Sequence, residues 1–143
     1  MPFKYTDHKA AADVAFEAWG ESLSELFKDA AEATLAVMIG DLNAILPKVE
    51  RDISLCDEAL DFLLYEWLQE LIYLKDAERL LLRPLGIEVS EDSDLYRLKA
   101  SVRGEEIDPE RHELLVDVKA VTFHNLAVYK SGETWIAKVV LDI

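Results

Sequence analysis

The chain has 143 residues, about half of them apolar, and its 29 acidic residues against 15 basic ones give a net charge of −14. This length and apolar content suit a single domain, residues 1–143, with a real hydrophobic core. The charge excludes wholesale binding to an RNA or DNA backbone, which needs clustered Lys and Arg, but it suits a basic protein partner or divalent cations.

The cysteine content and the hydropathy indicate the cellular compartment of the protein. Cys56 is the sole cysteine, so neither a disulfide framework nor a thiolate zinc site is expected. The first residues lack the apolar core of a signal peptide, and no segment reaches the roughly 18 apolar residues of a membrane helix. We therefore predict a cytoplasmic protein without a membrane segment.

The first residues predict two strands. Phe3 to Tyr5 forms a short strand, and Asp7 to Lys9 forms a polar turn. A second strand runs from Ala12 to Trp19, with Asp13 near its beginning. Its alternation places Val14, Phe16 and Ala18 on one face.

A helix follows the second strand. Ser22 with Glu25 predicts a capping box, and the helical spacing of apolar residues continues until Gly40. The apolar stripe consists of Leu23, Leu26, Phe27, Ala30, Thr34, Val37 and Met38. Asp41 to Glu50, which contains Pro47, predicts a connector.

A second helix is predicted to be the most buried one. A short strand from Arg51 to Cys56 precedes it, and Asp57 is expected to cap its N-terminus. Its stripe consists of Leu60, Leu63, Leu64, Trp67, Leu68, Leu71 and Leu74, extended around the helix by Phe62, Tyr65, Ile72 and Tyr73. Aromatic residues at this spacing usually pack in a core rather than line a cofactor groove.

The rest of the chain predicts a sheet. Arg79 to Val89 contains Pro84 and Gly86, which indicates a bent or edge strand. Four further segments alternate like antiparallel strands: Leu95 to Arg103, Leu114 to Phe123, Leu126 to Tyr129 and Thr134 to Asp142. Ser131 and Gly132 supply a hairpin turn. The fold class is therefore α+β, a mostly antiparallel sheet with two main amphipathic helices.

The last strand carries a candidate cation site. One of its faces is apolar throughout, and it brings the carboxylate of Asp142 and the terminal group of Ile143 into folded structure. Asp13 becomes a neighbour if the two strands pair antiparallel. Hard oxygen ligands of this kind suit Ca²⁺ or Mg²⁺ rather than zinc or copper, and the alternative is a pair of solvated aspartates at strand ends.

No enzyme active site is visible in the sequence. His8, His112 and His124 are scattered and are expected to be surface or packing residues, and there is no nucleophile elbow or phosphate-binding glycine loop. Lys119 lies on a half-apolar strand face beside Val121, where a snorkelling surface lysine is the ordinary interpretation.

The sequence is similar to the archease family over essentially its whole length. The segments that carry the resemblance are ADVAFEAWGESLSELFKDAA from Ala12 to Ala31, LLYEWLQELIY from Leu63 to Tyr73, VDVKAVTFHNL from Val116 to Leu126, and the closing VVLDI. These segments occur in the family's order and at its separations, with the terminal Asp-Ile that the family keeps as Asp-Ile or Asp-Leu.

The resemblance implies a function in tRNA processing. Archeases are accessory proteins, not ligases, that activate the RtcB-type tRNA-splicing ligase. They promote guanylylation of its active-site histidine from GTP, allow multiple turnover and broaden its use of nucleotides. The resemblance further implies a divalent cation, usually calcium, at Asp13, Asp142 and Ile143, and contact of Lys119 with the ligase or its nucleotide.

One departure from the family pattern limits what can be carried over. Many archeases have His-Thr-Ala-Asp before the strand, whereas Ala10 and Ala11 precede Ala12 here and His8 is the nearest histidine. Either His8 is the family histidine displaced by a two-residue insertion, or the family histidine is absent, so no histidine role is assigned. Two alternatives to ligase activation remain: a metal-independent chaperone or assembly module for RNA-modifying enzymes, and a metal-dependent hydrolase, which normally needs more ligands than this chain gathers.

Overall fold

The structure is a computed structural model that describes residues 2–6 and 13–143. The turn at Asp7 to Lys9, His8 and Ala12 lie outside the described residues. The strands are β1 (Phe3–Thr6), β2 (Asp13–Gly20), β3 (Val49–Asp57), β4 (Leu80–Asp92), β5 (Leu95–Glu106), β6 (Ala120–Val121), β7 (Ala127–Ser131) and β8 (Thr134–Asp142). The helices are α1 (Leu23–Met38) and α2 (Leu60–Glu78), with a 3₁₀ turn at Leu42–Ala44.

The strands form two antiparallel sheets. In the larger sheet the order is β1-β2-β8-β6, with β7 also pairing with β8, and in the smaller sheet it is β3-β5-β4. Both helices contact strands of both sheets, so the core lies where the helices meet them. The predicted α+β class is confirmed.

The faces of β2 and β8 are as the alternation predicted. Phe16 lies opposite Val139 and Ala18 opposite Ala137, and all four residues are buried. On the other face, Glu17 and Lys138 form an ion pair that is open to solvent, with Oε1 and Nζ 3.9 Å apart.

α1 begins at the predicted cap. The Glu25 backbone N–H donates to Ser22 Oγ at 3.1 Å, which satisfies one of the unpaired amides at the helix start. The Glu25 carboxylate accepts from the Glu21 N–H at 2.9 Å instead of from the N–H of Ser22, so the capping box is closed one residue earlier than expected.

The predicted cap of α2 is wrong. Ala59 is the N-cap residue and makes no side-chain capping bond. Asp57 accepts a hydrogen bond from the Ala59 N–H at 3.1 Å, so it orders the turn that leads into the helix. The inner side of α2 is buried, with Trp67 donating from Nε1 to the Phe27 carbonyl oxygen at 2.9 Å.

The predicted strand Leu114 to Phe123 is also largely wrong. Only Ala120–Val121 is a strand, and Leu114 makes an isolated bridge with Ile39. The backbone amides of Leu115 and Val116 donate to carbonyls of Met38 and Val37 at the end of α1. These tertiary hydrogen bonds override the local alternation, because they give the backbone an alternative to a sheet ladder.

Two smaller predictions are confirmed. β4 is an edge strand whose register shifts between Pro84 and Gly86. The β7–β8 hairpin turns at Gly132, which has φ +63°, a conformation that glycine adopts without strain. In the described part of the chain, no helix combines the length and apolarity needed to cross a membrane.

Candidate functional site

One end of the larger sheet brings three of the predicted site residues together. Asp13 and Asp142 are directly opposite each other in the antiparallel β2–β8 pair, and Ile143 follows at the end of β8. Directly opposite side chains share one face of a sheet, with Cβ atoms about 4.5–5.5 Å apart. We call this end of the sheet, with Asp13, Asp142, Ile143 and Lys119, the carboxylate tip.

Lys119 reaches the carboxylate tip from the other side of β8. Ala120 pairs with Asp142, and the Lys119 backbone N–H donates to the Asp142 carbonyl oxygen at 2.8 Å. The Lys119 side chain is exposed, whereas Ile143 is half-buried and packs against the core. Asp142 therefore lies between β2 and β6, and Lys119 directly precedes the β6 residue that pairs with it.

The structure adds a positioning residue that the sequence analysis missed. Gln69 of α2 accepts a hydrogen bond from the Val121 N–H at 3.0 Å through its side-chain Oε1. Thr122 adds a second tie, because its backbone N–H and its hydroxyl both donate to the Val140 carbonyl oxygen at 3.0 Å. The two-residue strand β6 is thus anchored to α2 and to β8.

A buried lysine holds the segment before β6. Lys75 is only 6% exposed, and its Nζ lies 2.6 Å from Asp76 Oδ1 and 2.5 Å from Asp117 Oδ1. Burial works against the charged form, but the hydrogen bonds from Lys75 to Asp117 and Asp76 outweigh it and raise the Lys75 pKa. A charged lysine in α2 was visible in the sequence, but its long-range partner was not.

The carboxylate tip offers oxygen ligands to a hard cation. Two like charges placed opposite each other are mutually unfavourable, and a bound cation would relieve that repulsion. Asp and main-chain oxygens are ligands that Ca²⁺ and Mg²⁺ prefer. Among the described residues no three or more His, Cys, Asp or Glu side chains lie together as a metal site, and the tip itself contributes two carboxylates, Asp13 and Asp142.

The histidines lie away from the carboxylate tip or at its margin. His8 is outside the described residues. His112 is 2% exposed and its Nε2 lies 3.0 Å from Glu105 Oε2, so it packs in a polar cluster. His124 is exposed, and its backbone N–H donates to Thr122 Oγ1 at 3.2 Å.

Comparison with known proteins identifies the family. The model of the Archease protein family matches residues 3–143. The chain belongs to the archease family. Relatives with the curated name Protein archease include one from Pyrococcus abyssi, 33% identical over 98% of this chain and 99% of its own, and one from Methanosarcina mazei, 35% identical over 99% and 95%.

Solved structures agree with this archease assignment. The solution structure of Methanobacterium thermoautotrophicum protein 1598 has a TM-score of 0.85 and 35% sequence identity, and the match covers 99% of both chains. The crystal structure of an archease from Thermotoga maritima, described as a possible chaperone, has a TM-score of 0.66 over 96% of both chains. At 22% identity this second likeness shows the fold alone.

Proposed function

We propose that this archease activates an RtcB-type tRNA-splicing ligase by promoting guanylylation of the ligase from GTP, so that each ligase turns over many times. The observation that carries the proposal is the pairing of Asp13 with Asp142 at the end of a sheet, in a chain that belongs to the archease family. In this account the chain is an accessory protein rather than an enzyme, and it acts in a reducing cytoplasm, where the exposed thiol of Cys56 would persist.

The partner is a protein rather than RNA. The net charge of −14 repels a phosphate backbone, so RNA would be held by the ligase and not by this chain. The same charge favours encounter with a protein that carries the basic surface needed for RNA.

The residues of the carboxylate tip have separate tasks. Asp13 and Asp142 would hold a divalent cation, Ca²⁺ or Mg²⁺, together with main-chain oxygen of Ile143. When bound, the cation would supply positive charge to phosphate oxygens. Lys119, exposed beside Asp142, would contact the ligase or the triphosphate of its nucleotide, because a lysine ammonium binds phosphate as a point charge.

Gln69 and Thr122 would keep this arrangement in register. Both anchor the segment that pairs with the Asp142 end of β8. Without them the short strand β6 has only its pairing with β8, so the position of Lys119 relative to Asp142 would be less defined.

The proposal is tested by labelling the ligase with GMP. Purified RtcB-type ligase is incubated with GTP labelled in its α-phosphate, alone, with the wild-type chain, or with the Asp142→Asn variant. We expect the wild type to increase the rate of covalent labelling and the variant to lose most of that increase. The Glu133→Gln variant, which changes an exposed residue of the β7–β8 turn, is the control. Unchanged labelling with the wild type would overturn the proposal.

A metal-independent chaperone is the second candidate, because apolar side chains are exposed. Phe62, Tyr73, Leu115 and Phe123 are each 48% to 61% exposed. This role predicts binding that survives EDTA and shows no preference for the ligase over unrelated RNA-modifying enzymes. A strong preference for the ligase over those enzymes would exclude it.

A further inference from the structure

An aromatic cluster lies on the outer side of α2. Phe62 is 48% exposed and Phe123, in the segment after β6, is 61% exposed. The Phe123 ring stacks on Tyr65 with centroids 4.5 Å apart and meets Phe62 edge to face at 6.0 Å. These rings hold one another in place, so they form an ordered surface rather than separate mobile side chains.

A groove continues this surface along α2. It has a volume of about 410 Å³ and is lined by Leu55, Tyr65, Glu66, Gln69, Glu70 and Tyr73. Two tyrosines lie along it, and Tyr73 is 58% exposed. We call this groove and the aromatic cluster beside it the α2 groove.

The charged side chains that line the α2 groove, Glu66 and Glu70, are both acidic. Between Arg51 and Arg79 the only basic residue is Lys75, and it is buried against Asp76 and Asp117. Within the described part of the chain, Glu66 and Glu70 take part in no ion pair, and neither do the neighbouring acids Asp57, Glu58 and Asp61. A groove with aromatic walls and carboxyl groups that have no basic partner has the chemistry that binds a cation.

Two carboxyl groups beside the groove are close enough to interact. Burial, the hydrogen bond that protonated Glu66 donates to the Asp57 carboxylate, and the negative charge of Asp57 together raise the pKa of Glu66 to about 7. A cation bound beside them would favour the ionised form of Glu66, because it would offset the repulsion between the two carboxylates.

The α2 groove is joined to the carboxylate tip through one residue. Gln69, which lines the groove, accepts the hydrogen bond from the Val121 N–H, and Val121 pairs with Leu141 next to Asp142. Phe123 follows two residues later on the same segment. A protein seated in the α2 groove would therefore also lie beside the tip.

We propose that the α2 groove is a docking site for an arginine-bearing cationic segment of a protein partner, and, resting on the proposed function, that this partner is the ligase. A guanidinium group stacks on aromatic rings and pairs with carboxylates at once, which matches Tyr65 and Tyr73 beside Glu66 and Glu70. Exposed aromatic anchors of this kind supply much of the affinity in protein interfaces. The acidic groove repels RNA, so the contact is with protein.

The test measures the dissociation constant of the chain for RNA-free ligase by interferometry and, in parallel, the concentration of the chain that gives half-maximal GMP labelling. The variants Phe123→Ala and Glu70→Gln each remove a groove contact. Leu85→Ala and Glu88→Gln make matched changes at exposed positions of β4. We expect the groove variants to raise both values about tenfold, with unchanged maximal labelling at saturation, and the controls to stay within about twofold.

The Asp142→Asn variant separates this inference from the proposed function. It should bind ligase with normal affinity and fail to stimulate labelling, the opposite of the groove variants. Normal affinity of both groove variants would overturn the docking site and leave the proposed ligase activation untouched. If the variants bind more weakly only when RNA is present, the groove contacts RNA and the protein docking site is overturned. If the wild type stimulates no labelling, the proposed function fails, whereas the docking site stands if the groove variants still bind the ligase about tenfold more weakly.

Discussion

Asp13 and Asp142 lie directly opposite each other in the β2–β8 pair, which puts two negative charges on one face at the end of a sheet. Strand pairs usually avoid like charges at such positions, because their repulsion weakens the pair. The arrangement therefore has a cost to folding that a bound cation would remove.

The first prediction concerns this repulsion. In EDTA, Asp13→Asn and Asp142→Asn should each be more stable than the wild type by about 0.2–1 kcal/mol, because each removes one of the opposed charges. In Ca²⁺ the order should reverse, because only the wild type gains binding energy, roughly 2.7 kcal/mol at one hundred times the dissociation constant. Thermal unfolding with and without Ca²⁺ measures this, with Glu133→Gln as control. Equal Ca²⁺ responses of wild type and variants would contradict it.

The neighbouring positions of Asp13 and Asp142 were predictable, because both strands alternate cleanly and antiparallel pairing brings the start of one to the end of the other. The position of Lys119 beside Asp142 was not predictable. The alternation from Leu114 to Phe123 predicts a full strand, but backbone hydrogen bonds to the end of α1 reduce it to Ala120–Val121. No local pattern signals such contacts.

The α2 groove could not be predicted from the sequence, for a different reason. Because the helix is apolar around most of its circumference, Phe62 and Tyr73 were predicted to pack in the core, and this is wrong, since both are exposed. The role of Gln69 was also invisible, because it depends on one contact with a residue 52 positions away.

The second prediction concerns that contact. Gln69→Ala should lower the free energy of unfolding by about 1 kcal/mol, because it leaves the buried Val121 N–H without its acceptor. Gln69→Glu keeps an oxygen acceptor and should retain most of the stability. Urea unfolding gives the free energies, and hydrogen exchange of the Val121 amide gives the local effect. Unchanged exchange in Gln69→Ala would show that the contact does not hold β6.

The third prediction concerns the buried Glu105, which is 3% exposed. Its side chain accepts from the Leu46 N–H and pairs with Arg111 and His112. Burial alone would raise its pKa, but hydrogen bonds from Arg111, Leu46 and His112 outweigh burial and lower it to about 2. Glu105→Gln should cost about 1.5–3 kcal/mol at pH 7, because it removes the charge from the hydrogen bonds with Arg111 and the Leu46 N–H.

The pH dependence of this effect has a definite sign. The pKa of Glu105 is about 2 in the fold and about 4.3 in the unfolded chain, so its stabilisation is present above pH 4.3 and lost as the pH falls towards 2. The difference between wild type and Glu105→Gln in urea unfolding should therefore shrink over that range. The exposed neighbour variant Glu106→Gln should differ little from wild type at any pH, and a constant difference for Glu105→Gln would be contrary to this account.

The fourth prediction concerns Glu66, whose pKa is raised to about 7 by burial and by Asp57. Because the unfolded value is about 4.3, the contribution of Glu66 to stability is complete below pH 4.3 and is lost as the pH rises through 7. Glu66→Gln, which mimics the protonated form, should therefore be more stable than wild type at pH 8 and equal to it near pH 4. Urea unfolding at the two pH values tests this, and Glu88→Gln should show no such crossover.

The most direct test of the central claim counts ligation events per ligase. A limiting amount of RtcB-type ligase joins an excess of RNA ends with GTP and a divalent cation, in the presence of the wild-type chain or of Asp142→Asn. We predict many joined ends per ligase with the wild type and a yield close to that of the ligase alone with the variant. Equal turnover with both would contradict the role of the carboxylate tip.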